Sequence, residues 1–328
     1  MREERVEFFS DSAGDRVRLR GFLRTPDAQA GAPYPAVVQG PGWLGLAGAQ
    51  TYVPWHEGLT AAGYAVLGFD YRGFGDSDGE RGWVRPDWQL QDILNATTYL
   101  CTRSDIDARR LGTFGIGGTG GGNAIMAAAA DERIRAVVAQ SVVAEGRDWL
   151  HRMRREYEWV AYLKRVKEDS RRWIVEGTGE KVNPREDLMV ETPERRDIGP
   201  KKDVDARMPT EFYLRSADYL LRYRPIDVVH KLSPRAGLLM TSVIDDVVTP
   251  ADHAQALYDR AGAPKKLVYQ TDTTHYRSYT QNYPVLMPLI VDWYDRYLKP
   301  NGPIEIRQAE RLEEIVYLQR PCERPSHD

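Results

Sequence analysis

The chain has 328 residues, a formal net charge of -3 and charges of both signs along its length. This length fits one large domain with an insertion or two small domains, and the near-neutral charge gives no sign of a nucleic-acid partner. No window approaches the roughly 18 apolar residues of a membrane-spanning helix. The charged start, Met1–Val6, does not read as a signal peptide. We therefore expect a cytoplasmic protein with no membrane partner.

The first predicted elements form a hairpin. Residues Val6–Phe9 and Val17–Leu23 largely alternate apolar and polar side chains, with Asp-Ser-Ala-Gly-Asp between them. This pattern is typical of two antiparallel strands at the edge of a sheet.

Downstream, short apolar runs alternate with helical patterns. Alternating buried strands and helices predict an α/β fold with a doubly wound, mostly parallel sheet. The predicted strands begin at Ala36, Ala65, Leu111, Ala136, Leu238 and Leu267, and the predicted helices are Val53–Ala62, Trp88–Cys101, Asn123–Ala130, Ala251–Arg260 and Pro284–Leu298.

The alternation stops between Ala144 and Pro234, a stretch longer than an ordinary connection. It contains helical patterns at Arg147–Arg165 and Thr210–Leu221 and many aromatic side chains. We expect most of these aromatics to pack against the core and a minority to line a pocket for a hydrophobic small molecule. The aromatics are Trp149, Tyr157, Trp159, Tyr162, Trp173, Tyr213, Tyr219 and Tyr223.

The predicted domain boundaries follow from this break in the pattern. The core comprises 1–143 and 235–300, the helical insertion 144–234, and the tail 301–328. Apolar residues at Ile304–Ile306 and Ile315–Leu318 of the tail need a surface, either on the domain or on a second subunit of a homodimer. The two cysteines, Cys101 and Cys322, have no metal-ligating neighbours, so we expect no metal and no cofactor.

A dense glycine turn joins the strand at Leu111–Phe114 to the following helix. A strand that turns sharply into a helix has strained backbone angles at its tip and needs small neighbours on both sides. The tip of such a turn normally presents Ser, Cys or Asp, whereas this chain has Gly117 there.

These residues resemble the nucleophile elbow of the α/β-hydrolase family, in the Gly-x-Ser-Tyr-x-Gly form of cocaine-esterase-like and acyl-peptidase-like members. Gly115 and Gly120 match its glycines, Gly117 its serine and Gly118 its tyrosine. Counting from the helix side instead places the serine on Gly118. The resemblance covers most of the chain and implies a helical cap at 144–234 over the carboxyl ends of the strands. Further segments that match in order are Tyr34–Gly42, Tyr64–Gly79, Leu238–Pro250 and Leu267–His275.

The last two segments imply an acid–histidine pair. His275 stands where the family has its catalytic base, and Asp245 or Asp246 where it has the acid that orients this base. The spacing to Pro250 selects Asp245, because Asp246 aligns where the family often has proline. The alternative role for Asp246 is to cap the helix that begins near Pro250.

The resemblance also implies an oxyanion hole. One donor would be the backbone N–H of Gly118. The loop that usually supplies the second donor has Pro41, which has no N–H. Gly42, Trp43 or the side-chain amide of Gln39 must then replace it. Loss of one such donor typically costs about 2.7–4 kcal/mol of transition-state stabilisation.

Two hydroxyls compete with Gly117 for the nucleophile position. Thr119 fits a Gly-x-Thr-x-Gly pattern, but only if the turn comes two residues later than the strand indicates. Ser77 lies in a literal Gly-x-Ser-x-Gly, but charged residues flank it and no small-residue helix follows. We expect Ser77 to close its turn by bonding to backbone.

Three functions remain open. The first is an α/β-hydrolase acting on an ester, amide, lactone or C–C bond of a hydrophobic carbonyl compound, with its serine replaced by Gly117 through an engineered or natural change. The second is a naturally nucleophile-free lyase or cyclase that uses His275 as a general base. The third is a non-catalytic protein that binds a small molecule in the same pocket.

Overall fold

A central sheet of nine strands forms the core of the protein. The computed structural model describes residues 1–12, 14–27, 31–43, 45–190, 192–194, 207, 209–299 and 312–318. The strands of this sheet are β1 (Arg2–Ser12), β2 (Asp15–Thr25), β3 (Tyr34–Gly40), β4 (Ala65–Phe69), β5 (Ile106–Ile116), β6 (Ile134–Gln140), β9 (Gly237–Val243), β10 (Lys265–Gln270) and β11 (Glu313–Leu318), while two further short strands lie in the insertion. The strand order is β1-β2-β4-β3-β5-β6-β9-β10-β11.

Only the first two strands break the parallel arrangement. Strand β1 pairs antiparallel with β2, and β2 pairs antiparallel with β4, which confirms the predicted edge hairpin. The remaining pairs are parallel. Every residue of β3, β4 and β9 is buried, so helices must cover both faces of the sheet. This confirms the predicted doubly wound α/β class.

The covering helices begin and end within two residues of the predicted boundaries, except the helix after the glycine turn, which begins at Gly118, five residues before its predicted start at Asn123. The helices outside the insertion are α1 (Val53–Ala61), α2 (Pro86–Cys101), α3 (Gly118–Ala130), α7 (Ala251–Arg260), α8 (His275–Thr280) and α9 (Tyr283–Leu298). Helix α8 was not predicted from the sequence, because its six residues are too few for a clear apolar period.

The insertion between β6 and β9 is partly helical. The helical pattern at Arg147–Arg165 is divided into two helices, because the Glu158 carboxylate accepts the Arg155 N–H at 2.8 Å and starts a new helix there. The pattern at Thr210–Leu221 also differs, since Phe212–Tyr213 form a short strand. The insertion contains α4 (Gly146–Arg152), α5 (Glu156–Glu176), α6 (Ser216–Leu221), the strands β7 (Lys181–Val182) and β8 (Phe212–Tyr213), a π-helical turn at Pro184–Leu188, and 3-10 turns at Pro225–Asp227 and Val229–Leu232.

Part of the tail joins the sheet. Residues Glu313–Leu318 pair in parallel with β10 and add the ninth strand. The predicted apolar residues at Ile304–Ile306 lie outside the described residues, as does Cys322. The homodimer stays a prediction. Among the described residues, no helix is long and apolar enough to cross a bilayer.

Candidate functional site

The glycine turn forms a sharp elbow with Gly117 at its tip. Strand β5 ends at Ile116 and α3 begins at Gly118. Gly117 has φ 82° and ψ 166°, a backbone region that is essentially restricted to glycine. The residue at the tip of the turn is therefore Gly117 and not Gly118, the alternative that counting from the helix side gave. Thr119 is the second residue of α3 and fully buried, so it is not the tip.

The neighbouring glycines allow the strand and the helix to approach closely. A Cβ at Gly115 would overlap the backbone carbonyl of Gly120. At Gly117, in contrast, an added Cβ would have no atom within 4 Å. The space into which a nucleophilic side chain would project is therefore open.

Asp246, not Asp245, holds His275. The Oδ2 atom of Asp246 lies 2.7 Å from Nδ1 of His275, and both side chains are buried. The predicted acid, Asp245, is exposed to solvent. The assignment from the spacing to Pro250 was therefore wrong by one residue.

The turn after β9 explains this difference. Strand β9 ends at Val243, and the chain turns outward before Asp246 points back into the protein. The Oδ1 atom of Asp246 accepts the backbone N–H groups of Val248 and Thr249 at 2.7 and 2.8 Å. Asp246 does not cap α7, whose N-cap residue is Pro250 without a side-chain bond.

The second ring nitrogen of His275 has a tyrosine partner. Its Nε2 lies 2.9 Å from the hydroxyl oxygen of Tyr279, one turn further along α8. The rings of Tyr276 and Tyr279 both meet the imidazole edge-on, with centroids 4.8 and 5.1 Å away. Burial, followed by the charge of Asp246, raises the pKa of Tyr279 well above its usual value. The phenol is therefore protonated near neutral pH.

The four predicted oxyanion donors differ in their availability. Gly118 is the first residue of α3, where a backbone N–H has no partner within the helix. The Gly42 N–H instead donates to the Tyr52 hydroxyl at 2.9 Å. Trp43 is half-buried beside this loop. An oxyanion hole built on Gly118 and Trp43 stays a prediction.

Gln39 faces a histidine rather than the elbow. Its side-chain oxygen bonds to Nε2 of His56, while Nδ1 of His56 lies 2.5 Å from the Arg24 guanidinium. Gln39 and His56 are completely buried. The predicted role of Gln39 as an oxyanion donor is therefore not supported by its orientation.

The insertion contacts the elbow, the turn that carries Asp246, and the start of α8, where His275 lies. The Trp149 ring would lie 3.7 Å from a Cβ at Gly118, and its indole N–H donates to the Val248 carbonyl at 2.8 Å. The Tyr223 hydroxyl donates to the Thr119 carbonyl at 3.1 Å. The Glu194 carboxylate accepts both the Thr274 hydroxyl and the Tyr276 N–H at the start of α8.

Two other predictions concern serine and metal chemistry. The Ser77 hydroxyl donates to the Asp70 carbonyl at 2.5 Å and accepts the Arg20 N–H at 2.9 Å, which confirms its role in closing the turn. In the described part of the chain, no three His, Cys, Asp or Glu side chains are arranged to hold a metal ion.

Sequence reasoning missed Tyr279, Tyr52 and Glu194. The four-residue spacing from His275 to Tyr279 is a helical signal, but it has meaning only once α8 is known. Glu194 is distant in sequence from the start of α8 that it contacts, and Tyr52 lies beyond the loop whose Gly42 N–H it accepts, so no local pattern marks either residue.

The sheet order, the elbow and the buried acid–histidine pair define an enzyme of the α/β-hydrolase class. Residues 14–277 match the family described as X-Pro dipeptidyl-peptidase (S15 family). The match spans more than half of the chain, and the protein belongs to this family.

The chain is also similar to other proteins and to solved structures. An uncharacterized 31.7 kDa protein of Escherichia coli is 29% identical over 227 residues, which cover 67% of this chain and 76% of that protein. Thiohydrolase aneE of Aspergillus aculeatus is 25% identical over 280 residues, covering 80% and 84%. The structure of the α/β-hydrolase GrgF from Penicillium sp. sh18 superposes with a TM-score of 0.76 at 19% identity, covering 92% and 100%.

Proposed function

We propose that this protein acts on a carbonyl-containing hydrophobic small molecule and uses the Asp246–His275 pair for proton transfer. The observation that carries the proposal is the buried 2.7 Å contact between Asp246 and Nδ1 of His275. Maintaining a carboxylate in a buried position is costly unless hydrogen bonds compensate, and Asp246 has three such bonds. The pair is thus built to stabilise an imidazolium ion.

The hydrogen bond to Asp246 determines which nitrogen of the His275 ring carries the proton. Because an ionised carboxylate only accepts hydrogen bonds, Nδ1 of His275 carries the proton and Nε2 has the lone pair. His275 then acts as a base through Nε2 on a water molecule that attacks the carbonyl carbon. The same proton passes to the leaving group when the bond to the carbonyl breaks.

The absence of a hydroxyl at Gly117 limits the substrates. No acyl-enzyme forms at a glycine, and general-base catalysis alone contributes about 10²–10⁴-fold. An activated carbonyl, such as an aryl ester, a strained lactone or a thioester, fits this limit. The relative named as a thiohydrolase supports the inclusion of sulfur-containing esters.

The surroundings of the pair support a hydrophobic substrate. A cleft of about 280 Å³ lies between α4 and the turn that carries Asp246. Most of its lining is apolar, with Arg152 and Thr192 as polar exceptions besides Asp246. Trp149 connects it to the elbow, so a mainly apolar ligand fits it best. The apolar residues that line the cleft are Trp149, Met153, Val190, Val247, Val248 and Pro250.

Hydrolysis of p-nitrophenyl acetate and of a matched thioester tests the proposal. His275→Gln should lower kcat/KM by roughly 10²–10⁴-fold through loss of the base. Asp246→Asn should lower it by roughly 10–100-fold, because the hydrogen bond to a charged group is lost. Asp245→Asn, a matched change at the exposed neighbour, should leave the rate unchanged. Turnover that survives His275→Gln would overturn the proposal, and ligand binding without any turnover would favour a binding protein.

The open space at Gly117, where an added Cβ would meet no atom within 4 Å, favours a second candidate: a naturally nucleophile-free lyase or cyclase in which His275 takes a proton directly from the substrate. Any side chain at φ 82° and ψ 166° is strained, at a cost of about 1–3 kcal/mol. Gly117→Ser tests this, with Gly117→Ala as the control for strain. In a serine-hydrolase frame, the new hydroxyl should react with a fluorophosphonate. A folded Gly117→Ser protein without labelling would favour direct general-base chemistry.

A further inference from the structure

The Nε2 atom of His275 is already occupied in this structure. It is the atom through which the proposed base must act, yet it lies 2.9 Å from the Tyr279 hydroxyl. Because Nδ1–H donates to Asp246, Nε2 of the neutral ring can only accept. The Tyr279 O–H therefore donates to it.

Tyr279 cannot replace the missing nucleophile. Burial raises its pKa, so the tyrosinate that would attack a carbonyl is strongly disfavoured. Its ring is only 4% exposed and packs in the core cluster with Tyr52, Phe114 and Ile116. The hydroxyl thus acts on the imidazole rather than on a substrate.

We propose that Tyr279 is a positioning residue that masks Nε2 of His275 in the resting site and must release it before His275 acts on water or substrate. This inference rests on the proposed function of His275 as a base. The geometry fixes the ring on both sides, since Asp246 holds Nδ1 and Tyr279 holds Nε2. The hydrogen bond keeps the ring in one tautomer and one orientation, and it occupies the lone pair that must accept a proton from water or substrate.

The contact belongs to a single helix, which makes it stable in the absence of ligand. His275 and Tyr279 are four residues apart in α8, where side chains lie one above the other. The Glu194 carboxylate from the insertion binds the start of the same helix through the Tyr276 N–H. A ligand that displaces residues 192–194 would therefore act directly on the helix that carries both rings.

Carbethoxylation of His275 by diethylpyrocarbonate tests the mask without requiring turnover. The unprotonated imidazole nitrogen attacks the reagent, and the acylated peptide is quantified by mass spectrometry. Tyr279→Phe removes only the hydroxyl. It should increase the rate of acylation of His275 by roughly 2–12-fold, which corresponds to the free energy of one neutral hydrogen bond. Tyr276→Phe, a matched change in the same helix with its ring contact retained, should leave the rate within about twofold of the wild type.

A second measurement follows the ¹⁵N chemical shift of Nε2 in His275. In ¹⁵N-histidine NMR spectra, the Nε2 resonance of His275 should move downfield in Tyr279→Phe, because an unprotonated nitrogen loses its donor. An unchanged or slower acylation of His275, or an unchanged Nε2 resonance, would overturn the proposal that Tyr279 masks Nε2. Both readouts are independent of ester hydrolysis, so failure of the proposed function remains distinguishable from failure of this inference.

Discussion

At the scale of single residues, His56 is held neutral by its surroundings. It is buried between the Arg24 guanidinium at Nδ1 and the Gln39 oxygen at Nε2. A guanidinium only donates, so Nδ1 accepts and Nε2 carries the single proton. Burial, followed by the charge of Arg24, lowers the pKa of His56 to about 3.

This low pKa predicts a loss of stability in acid. Below the unfolded-state pKa of 6.5, the unfolded chain binds a proton at His56 that the folded protein does not bind until about pH 3. The free energy of unfolding should therefore fall with decreasing pH, by up to about 1.4 kcal/mol per unit from this group. Urea unfolding from pH 7 to 4.5 should show a shallower pH dependence for His56→Gln. Parallel curves for the two proteins would contradict this explanation.

The choice between Asp245 and Asp246 shows where sequence reasoning stops. Spacing placed an acid within one residue of the correct position, because β9 and the following turn have a fixed place before β10. It could not tell which carboxylate points inward. That depends on the path of the turn, in which Val248 and Thr249 donate to Asp246.

At the scale of elements, the elbow was predictable because the residues that form it are adjacent in the sequence. Strand β5, the glycine turn and α3 follow from an apolar run, a set of glycines and an alanine-rich segment. The close approach of Gly115 to Gly120 gives the physical reason for this pattern. The base, in contrast, begins α8, a helix that the sequence did not predict, and its partner Tyr279 was consequently missed.

The insertion was less predictable for a related reason. Its helices depend on capping and on long-range packing rather than on propensity alone. Phe212–Tyr213 form a strand only because Lys181–Val182 lie opposite. The contact of Trp149 with the elbow likewise joins residues that are distant in the chain.

At the scale of the whole molecule, β11 extends the sheet by one strand beyond β10 and forms its edge. It comes from a tail whose apolar residues indicated a missing surface but not which surface. The Tyr317 ring stacks on Tyr269 at 5.3 Å, and Glu314 pairs with Lys266 at 2.9 Å. Without this strand, β10 would present a row of unpaired backbone groups to solvent.

Removal of β11 should therefore destabilise the protein and promote association. A chain ending at residue 311 loses the ladder between β10 and β11, the Tyr317 stacking and the bond from the Lys265 N–H to the Leu312 carbonyl. A chain ending after Leu318 keeps all of these contacts and is the matched control. We expect the shorter chain to have a Tm lower by several degrees, because each kcal/mol lost shifts Tm by about 2–4 °C in a large domain. It should also elute earlier in size-exclusion chromatography, since the largely buried strand β10 would then form the exposed edge, and an exposed apolar edge pairs readily with another chain. Identical melting and elution of the two truncated chains would show that β11 adds nothing to the stability of the sheet, and that the β10 edge is protected in another way.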